Sequence, residues 1–585
     1  MVKISLRFLT SVFLLLNICH NAAGQSPIFP HGFAPWELNK NFDFTGSRLI
    51  SGYTNPPQSA VRASAEWEEI DALMVTWTDY VSTVREIVKY AREECKVYIV
   101  CSDSNSVIEN LELNLIPLDN IYFLQEPYNS VWCRDYGPWN VYQNNADSLY
   151  LIDWIYNRPM RPQDNEIPAA IAEFTSLPIY QTILPPYDFV ATGGNFMVDG
   201  WGTAFSSKLI LDENDGTELS IEPKTEDEID TIVKRFMGIK NYIKMETLPY
   251  DEIHHIDMHL KLLDEETLLV GEYPEGVADG PQIEENLNYI LTNFNSVFGT
   301  PYKVVRIPMP PNNAGNYPDE GGAYRTYTNC VFINKTVLVP VYDEEFDTTG
   351  LRILKENLSG YKIIGINCNS IINALGAIHC ITKEVASSKP LLITHQPLHD
   401  TENTVDDYTV NAWVVYNSNI GVNYSEIYYT TDTLIPWISA PMLLTDSATN
   451  TWTGYIPAQP EGTTVYYYIH ALSNDWKQQV RPITAPEGFW KFRVGEPAVV
   501  ITAENKEHGI NIFPNPADNN VTINFSNPLQ GKTEMSISNI SGEIVVNNII
   551  TQTESVLSLQ NLPSGTYFIK IMDESFASTF KIIKL

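Results

Sequence analysis

Along the first two-thirds of the chain, short apolar runs alternate with amphipathic stretches. Residues 71–77 (Asp-Ala-Leu-Met-Val-Thr-Trp) read as a strand, 81–95 repeat apolar residues at helical spacing, and 96–101 (Lys-Val-Tyr-Ile-Val-Cys) read as a second strand. The same order returns at 336–342, with a helix around 348–358 and a strand at 361–366. Looser copies start at 149–153 with a helix near 168–175, at 203–205 with a helix over 226–237, and at 267–271 with a helix over 282–294. Roughly five strand-helix-strand units at spacings of tens of residues predict an α/β region built by radial or stacked repetition, not one open doubly wound sheet.

After about residue 390 the pattern changes to short, alternating, aromatic-rich strands at 410–416, 427–430, 451–455 and 464–470. Turn residues separate them, which predicts a β-sandwich of immunoglobulin-like size that lacks the cysteine pair of antibody domains. A polar linker leads to a second small β-module ending at Leu585. The expected divisions are 1–24, 25–61, 62–392, 393–495, a linker at 496–509, and 510–585.

At 585 residues the chain is too long for one hydrophobic core. A formal net charge of -34 argues against binding nucleic acid or an anionic membrane surface, and it favours approach of cations. The N-terminus reads as a secretory signal peptide: Lys3 and Arg7, an apolar run over 8–18, then Ala22-Ala-Gly24. That run is too short to span a bilayer, and nothing later in the chain is apolar enough to do so. Residues 25–61 read as an N-terminal segment open to removal as a pro-segment. Six of the seven cysteines follow residue 24, and their spacings fit no zinc pattern and no disulfide scaffold. Clustered His254, His255 and His259 lack the companions of a metal site, so neither metal nor cofactor is expected.

The candidate chemistry lies outside the helices. Cys380 follows a small-residue turn in Ala374-Leu-Gly-Ala-Ile-His-Cys380, and the possible partners of a thiol nucleophile are Trp132-Cys-Arg-Asp135 and His255-Ile-Asp257. A thiol and an imidazole with two carboxylates suit acyl transfer poorly, because negative charge beside the substrate opposes an oxyanion. They suit a planar cation such as guanidinium, which carboxylates grip with paired hydrogen bonds. In a ring of repeats, loops from distant positions converge on the axis, so Asp135, His255, Asn329 and Cys380 could meet.

Trp-x-Arg-Asp-x-Gly-Pro at 132–138, Gly193-Gly-Asn195, His255-x-Asp257, Thr328-Asn329 and Ile378-His-Cys380 stand in an order that resembles the Porphyromonas-type peptidylarginine deiminases and the related agmatine deiminases. The resemblance covers roughly residues 60–390 and implies a pentein-like, pseudo-symmetric five-bladed α/β propeller. The tail, with Ile512-Phe-Pro-Asn-Pro-Ala517 and Leu562-Pro-Ser-Gly-Thr-Tyr-Phe568, resembles the β-sandwich sorting domain of type IX secretion cargo. It implies the type IX machinery as partner and, after export to the periplasm, a secreted or outer-surface location.

The resemblance implies that Cys380 attacks the guanidinium carbon to form a covalent thiouronium intermediate, and that His255 moves protons to ammonia and from water. Asp135 and Asp257 would hold the guanidinium nitrogens, Asn329 would orient thiol or substrate, and Trp132 would wall the aliphatic arm. Arg158 and Arg161, in Tyr156-Asn-Arg-Pro-Met-Arg161, resemble the pair that binds the α-carboxylate of a C-terminal arginine, although Met160 makes the spacing one residue longer than the family pattern. The expectation is a hydrolase converting arginine in peptides or proteins, preferably at peptide C-termini, to citrulline and ammonia. The alternatives are a deiminase of agmatine or another small guanidine, and an inactive surface-binding protein.

Overall fold

The computed structural model describes residues 29–37, 50–217, 221–495 and most of 510–584. The expected signal peptide (1–24) and linker (496–509) lie outside the described residues. Between residues 61 and 386 the chain forms five small mixed sheets of one design. In each, a short strand runs antiparallel to a central strand, and a helix then returns the chain to a third strand parallel to the centre.

The five central strands are Leu149–Tyr156, Thr203–Ser207, Thr267–Glu272, Thr336–Val341 and Ile70–Thr76. Their parallel partners are Ile179–Thr182, Asn241–Met245, Lys303–Pro308, Lys362–Asn367 and Lys96–Cys101. The intervening helices are Ile167–Thr175, Glu226–Met237, Gly280–Asn293, Glu344–Asn357 and Val81–Ala91. The helix expected over 81–95 therefore ends at Ala91, and Arg92 to Cys95 turn tightly into the next strand. The last sheet joins the two ends of the region, because Lys383–Ala386 pairs antiparallel with Ile70–Thr76.

Central strands such as Ile70–Thr76 are buried on both faces, which is why they read as apolar runs without strict alternation. Helix Glu226–Met237 shows how local sequence sets the boundaries. Thr225 and Glu228 form a reciprocal capping box at its start, and Ile229, Ile232, Val233 and Phe236 supply the buried face. Gly238 ends it at φ +76, where a Cβ would lie 1.9 Å from the Val61 carbonyl oxygen.

Eight further strands between Leu392 and Arg493 form one bent, paired system. Ile438–Asp446 belongs to both halves, pairing with Val422–Thr430 on one side and Thr451–Ile456 on the other. Arg481 pairs with Glu265 at 2.8 Å and Trp201 donates to Thr394 at 3.0 Å, so this layer is fastened to the five-sheet region. The C-terminal module, taken by itself, has two antiparallel sheets of three and four strands around Val521, Ile523, Met535, Ile537, Ile569 and Ile582. No helix among the described residues is long and apolar enough to cross a membrane.

Gly238→Ala should lower the unfolding free energy by about 2 kcal/mol or more, because left-handed backbone and the Val61 contact both oppose a methyl group. The midpoint of urea denaturation followed by circular dichroism measures it, and a midpoint equal to that of the unchanged chain would refute it.

Candidate active site

Apart from Arg158 and Arg161, which follow the central strand Leu149–Tyr156, the candidate residues lie at the same place in each of the five units, in the turn just before its short antiparallel strand. Trp132 and Asp135 precede Trp139–Gln143, Gly193–Asn195 precedes Met197–Val198, and His255 with Asp257 precedes Leu260–Leu262. Thr328 and Asn329 precede Val331–Ile333, and His379 with Cys380 precedes Lys383–Ala386. Equivalent turns of repeated units bring residues some 250 positions apart in sequence to one centre.

At that centre Asn329 Nδ2 lies 3.2 Å from Cys380 Sγ, and the sulfur is 3.7 Å from Asp257 Oδ2. His255 Nδ1 is 3.7 Å from Asp135 Oδ1, while its Nε2 meets Thr192 Oγ1 at 3.1 Å. Cys380, His255, Asn329 and Trp132 are fully buried. Two buried polar atoms of these residues, His255 Nδ1 and Asp257 Oδ1, have no hydrogen-bond partner among the described residues, which leaves them for a bound ligand.

Two glycines let these groups approach. A Cβ on Gly194 would lie 2.5 Å from His255 Nδ1 and 3.2 and 3.3 Å from carboxylate oxygens of Asp135 and Asp257. A Cβ on Gly376 would lie 2.6 Å from the Trp132 ring and 3.1 Å from Cys380 Sγ. Gly194 also donates its N–H to Asp135 Oδ1 at 3.2 Å.

Behind the centre runs a buried chain of charges. His379 Nδ1 meets Asp257 Oδ2 at 2.7 Å and its Nε2 meets Glu66 Oε1 at 2.8 Å, and Lys261 also pairs with Glu66. Arg134 and Lys383 hold Glu384 at 2.8 and 2.9 Å. His379 thus fixes the Asp257 carboxylate through Oδ2, the oxygen that also faces Cys380, and Oδ1 keeps no hydrogen-bond partner among the described residues.

Burial raises the Cys380 thiol well above its ordinary value, and Asp257 and Asp135 add to that against the Asn329 hydrogen bond. Burial lowers the His255 imidazole to about 4, with Asp135 pulling the other way. Burial disfavours charge on Asp135, but His31, His255 and Arg158 outweigh it and hold the carboxyl well below the usual range. Asp257 is likewise held low, by His379 above all, against burial. Without a cation in place, the centre therefore holds two carboxylates, a neutral imidazole and a protonated thiol.

Arg158 and Arg161 are also buried here. Arg158 donates through Nε and a terminal nitrogen to the His31 carbonyl at 3.2 and 3.1 Å, and Arg161 pairs with the Glu37 carboxylate at 3.0 Å. The sequence pattern named eight residues, of which the fold sets Cys380 against Asn329, Asp257 and Trp132, and His255 against Asp135, while Arg158 and Arg161 are reached through His31, Gly32 and Glu37. It missed His31, Glu66, Thr192 and His379, and only His379, next to Cys380, stood inside a motif. His31, Asp135 and His255 offer ligand atoms within 4.8 Å of one another and are the residues here that could hold a metal ion.

Residues 62–385 match the family model of the Porphyromonas-type peptidyl-arginine deiminases. The chain belongs to this family. Its members are hydrolases that cleave C–N bonds of linear amidines. Residues 511–585 match the model of the secretion-system C-terminal sorting domain, which marks the protein for export to the cell surface or beyond. A relative named as an agmatine deiminase from Mycoplasma mycoides subsp. mycoides is 23% identical over 57% of this chain and 98% of its own length. Another so named, from Legionella pneumophila, is 24% identical over 58% of this chain and 99% of its own. A crystal structure named for an agmatine deiminase covers 58% of this chain and all of its own at 18% identity, with a TM-score of 0.50, a likeness of fold. That fold is of the pentein type.

Cys380, buried beside two carboxylates, should react with neutral iodoacetamide ever faster as pH rises, about tenfold per unit with no plateau below about pH 9. Labelling of its peptide read by mass spectrometry checks this, and a plateau near neutrality would contradict it. Gly194→Ala should cut kcat about 100-fold through displacement of His255, with the denaturation midpoint little changed.

Proposed function

We propose that this deiminase hydrolyses the guanidinium group of arginine in peptides, preferably at a C-terminus, to citrulline and ammonia. The observation that carries the reading is the Arg158 and Arg161 pair. Two buried guanidinium forks stand next to a carboxylate-lined centre and are partnered by a carbonyl and a carboxylate. Burial lowers Arg158 from its ordinary value, and Arg161 adds to that against Tyr156 and Asp135, so an anion bound there is favoured. A substrate that is cationic at one end and anionic at the other fits both halves.

In this reading Asp135 and Asp257 take the guanidinium nitrogens, and Trp132 covers the aliphatic arm. The bound cation offsets the two carboxylates that keep Cys380 protonated, so the thiol can ionise with substrate present. Cys380 Sγ, oriented by Asn329, passes its proton to the neutral His255 and bonds to the guanidinium carbon, and the C–N bond breaks as His255 hands that proton to the leaving ammonia. His255 then takes a proton from water. The hydroxide bonds to the carbon of the thiouronium, the C–S bond breaks, and the ureido product leaves with the thiol restored.

We propose further that the five units close into a five-bladed propeller, that residues 393–495 are immunoglobulin-like, and that residues 1–24 direct export to the periplasm before the type IX machinery acts. The names of the relatives favour a second reading, deimination of agmatine or another small guanidine.

Ammonia and citrulline release from a peptide ending in Arg, from its amidated form and from agmatine separates the two readings. The free-carboxylate peptide should be turned over selectively, Cys380→Ala should abolish release, and Arg158→Ala should raise KM for that peptide about 100-fold. Turnover chiefly of agmatine, unaffected by Arg158→Ala, would overturn the substrate class.

A further inference from the structure

Residues 29–37 fill the candidate active site. They have no regular secondary structure, and their contacts are with the residues that the substrate needs. The His31 ring stacks on Trp132 at 4.4 Å and 11°, and stands edge-on to His255 at 4.9 Å. Its Nε2 meets Asp135 Oδ2 at 2.6 Å and its Nδ1 meets the Leu375 carbonyl at 2.7 Å. Trp132 Nε1 donates to the Phe29 carbonyl at 2.9 Å.

The other half of the site is taken as well. Arg158 grips the His31 carbonyl, with its guanidinium 4.3 Å from the centre of the Phe33 ring. Arg161 donates to the Gly32 carbonyl at 2.8 Å and to both oxygens of Glu37, which also caps the local turn by accepting from the Ala34 N–H at 2.6 Å. His31, Ala34 and Glu37 are fully buried, and so is Cys380.

We propose that residues 29–37 are an intrasteric inhibitor: an internal pseudosubstrate in which the His31 imidazole takes the place of a bound guanidinium, and the His31 carbonyl and Glu37 carboxylate take that of its terminal carboxylate. The inference rests on the proposed roles of Asp135, Arg158 and Arg161. A flat nitrogen-bearing ring between a tryptophan face and a carboxylate satisfies the same contacts as guanidinium, yet it has no amidine carbon for Cys380 to attack. Tethering presents the segment at an effective concentration of roughly millimolar, so substrate gains entry only as the segment leaves.

The test compares the full chain with full-length His31→Ala, Glu37→Gln and the double variant, on two readouts. Labelling of Cys380 by iodoacetamide needs no catalysis, and in the double variant it should quicken about tenfold or more, in proportion to the fraction of open chains. The apparent KM for a peptide ending in Arg should fall by a similar factor, and the nonapeptide Phe-Pro-His-Gly-Phe-Ala-Pro-Trp-Glu should inhibit the double variant competitively. Equal labelling rates in all four chains, with unchanged denaturation midpoints, would overturn the plug while leaving the deiminase reading intact. Faster labelling without turnover of any arginine substrate would uphold the plug and overturn that reading instead. Glu37→Gln removes one charge and no volume, so it decides the matter if the double variant does not fold.

Discussion

The structure turns on a concentration of negative charge in a dry place. Asp135 and Asp257 sit close to one buried thiol, and besides it the hydrogen-bonding side chains that meet their oxygens are imidazoles, His31 at Asp135 and His379 at Asp257. Such a centre is costly until a cation enters it. The surroundings answer to that cost. His379 joins Asp257 to a buried ladder of Glu66, Lys261, Arg134, Lys383 and Glu384, while His31, His255 and Arg158 hold Asp135 ionised. Chemistry of this kind selects its substrate by charge before any shape is read, and the acidic character of the whole chain points the same way.

Repetition is what makes so concentrated a site buildable. Five copies of one small unit each contribute one turn, always the turn entering the short antiparallel strand, so no single turn carries both the nucleophile and its partners. The junction of Lys383–Ala386 with Ile70–Thr76 ties the last unit to the first. Cys380 and Trp132, far apart in sequence, can then face each other across Gly376. The glycines at 194 and 376 belong to the same logic: where five turns crowd together, two of them give up a side chain so that the imidazole, carboxylates and sulfur fit.

In the proposed reading the site takes a cation at one end and an anion at the other, and so is open to any peptide that offers both. The segment 29–37 does so from within the chain, by an imidazole and a carboxylate six residues apart. The selectivity of the site for arginine would then lie in reactivity as much as in binding, since the imidazole meets the same groups and lacks only the electrophilic carbon.

Much of this was legible in the residues. Periodicity located the connecting helix of each of the five units to within a few positions, since apolar spacing reports which face of a helix is buried, but it passed over the helix Ser104–Leu113, and the alternation after residue 390 marked several of the later strands. Cys380, His255, Asp135, Asp257, Asn329, Trp132, Arg158 and Arg161 could be picked out as candidates because that choice depends on residue type and on short motifs. The end of the first helix at Ala91 was not legible, because Arg92 to Cys95 keep a helical pattern while hydrogen bonds of a turn decide their path. Nor were Glu66, Thr192 and His31, each of which matters only through a neighbour more than 60 positions away. Sequence determines what each turn can do chemically and how each unit folds. Only tertiary structure decides which turns meet, what fills the space between them and how far burial moves their protons, because those depend on distances through space that no local pattern encodes.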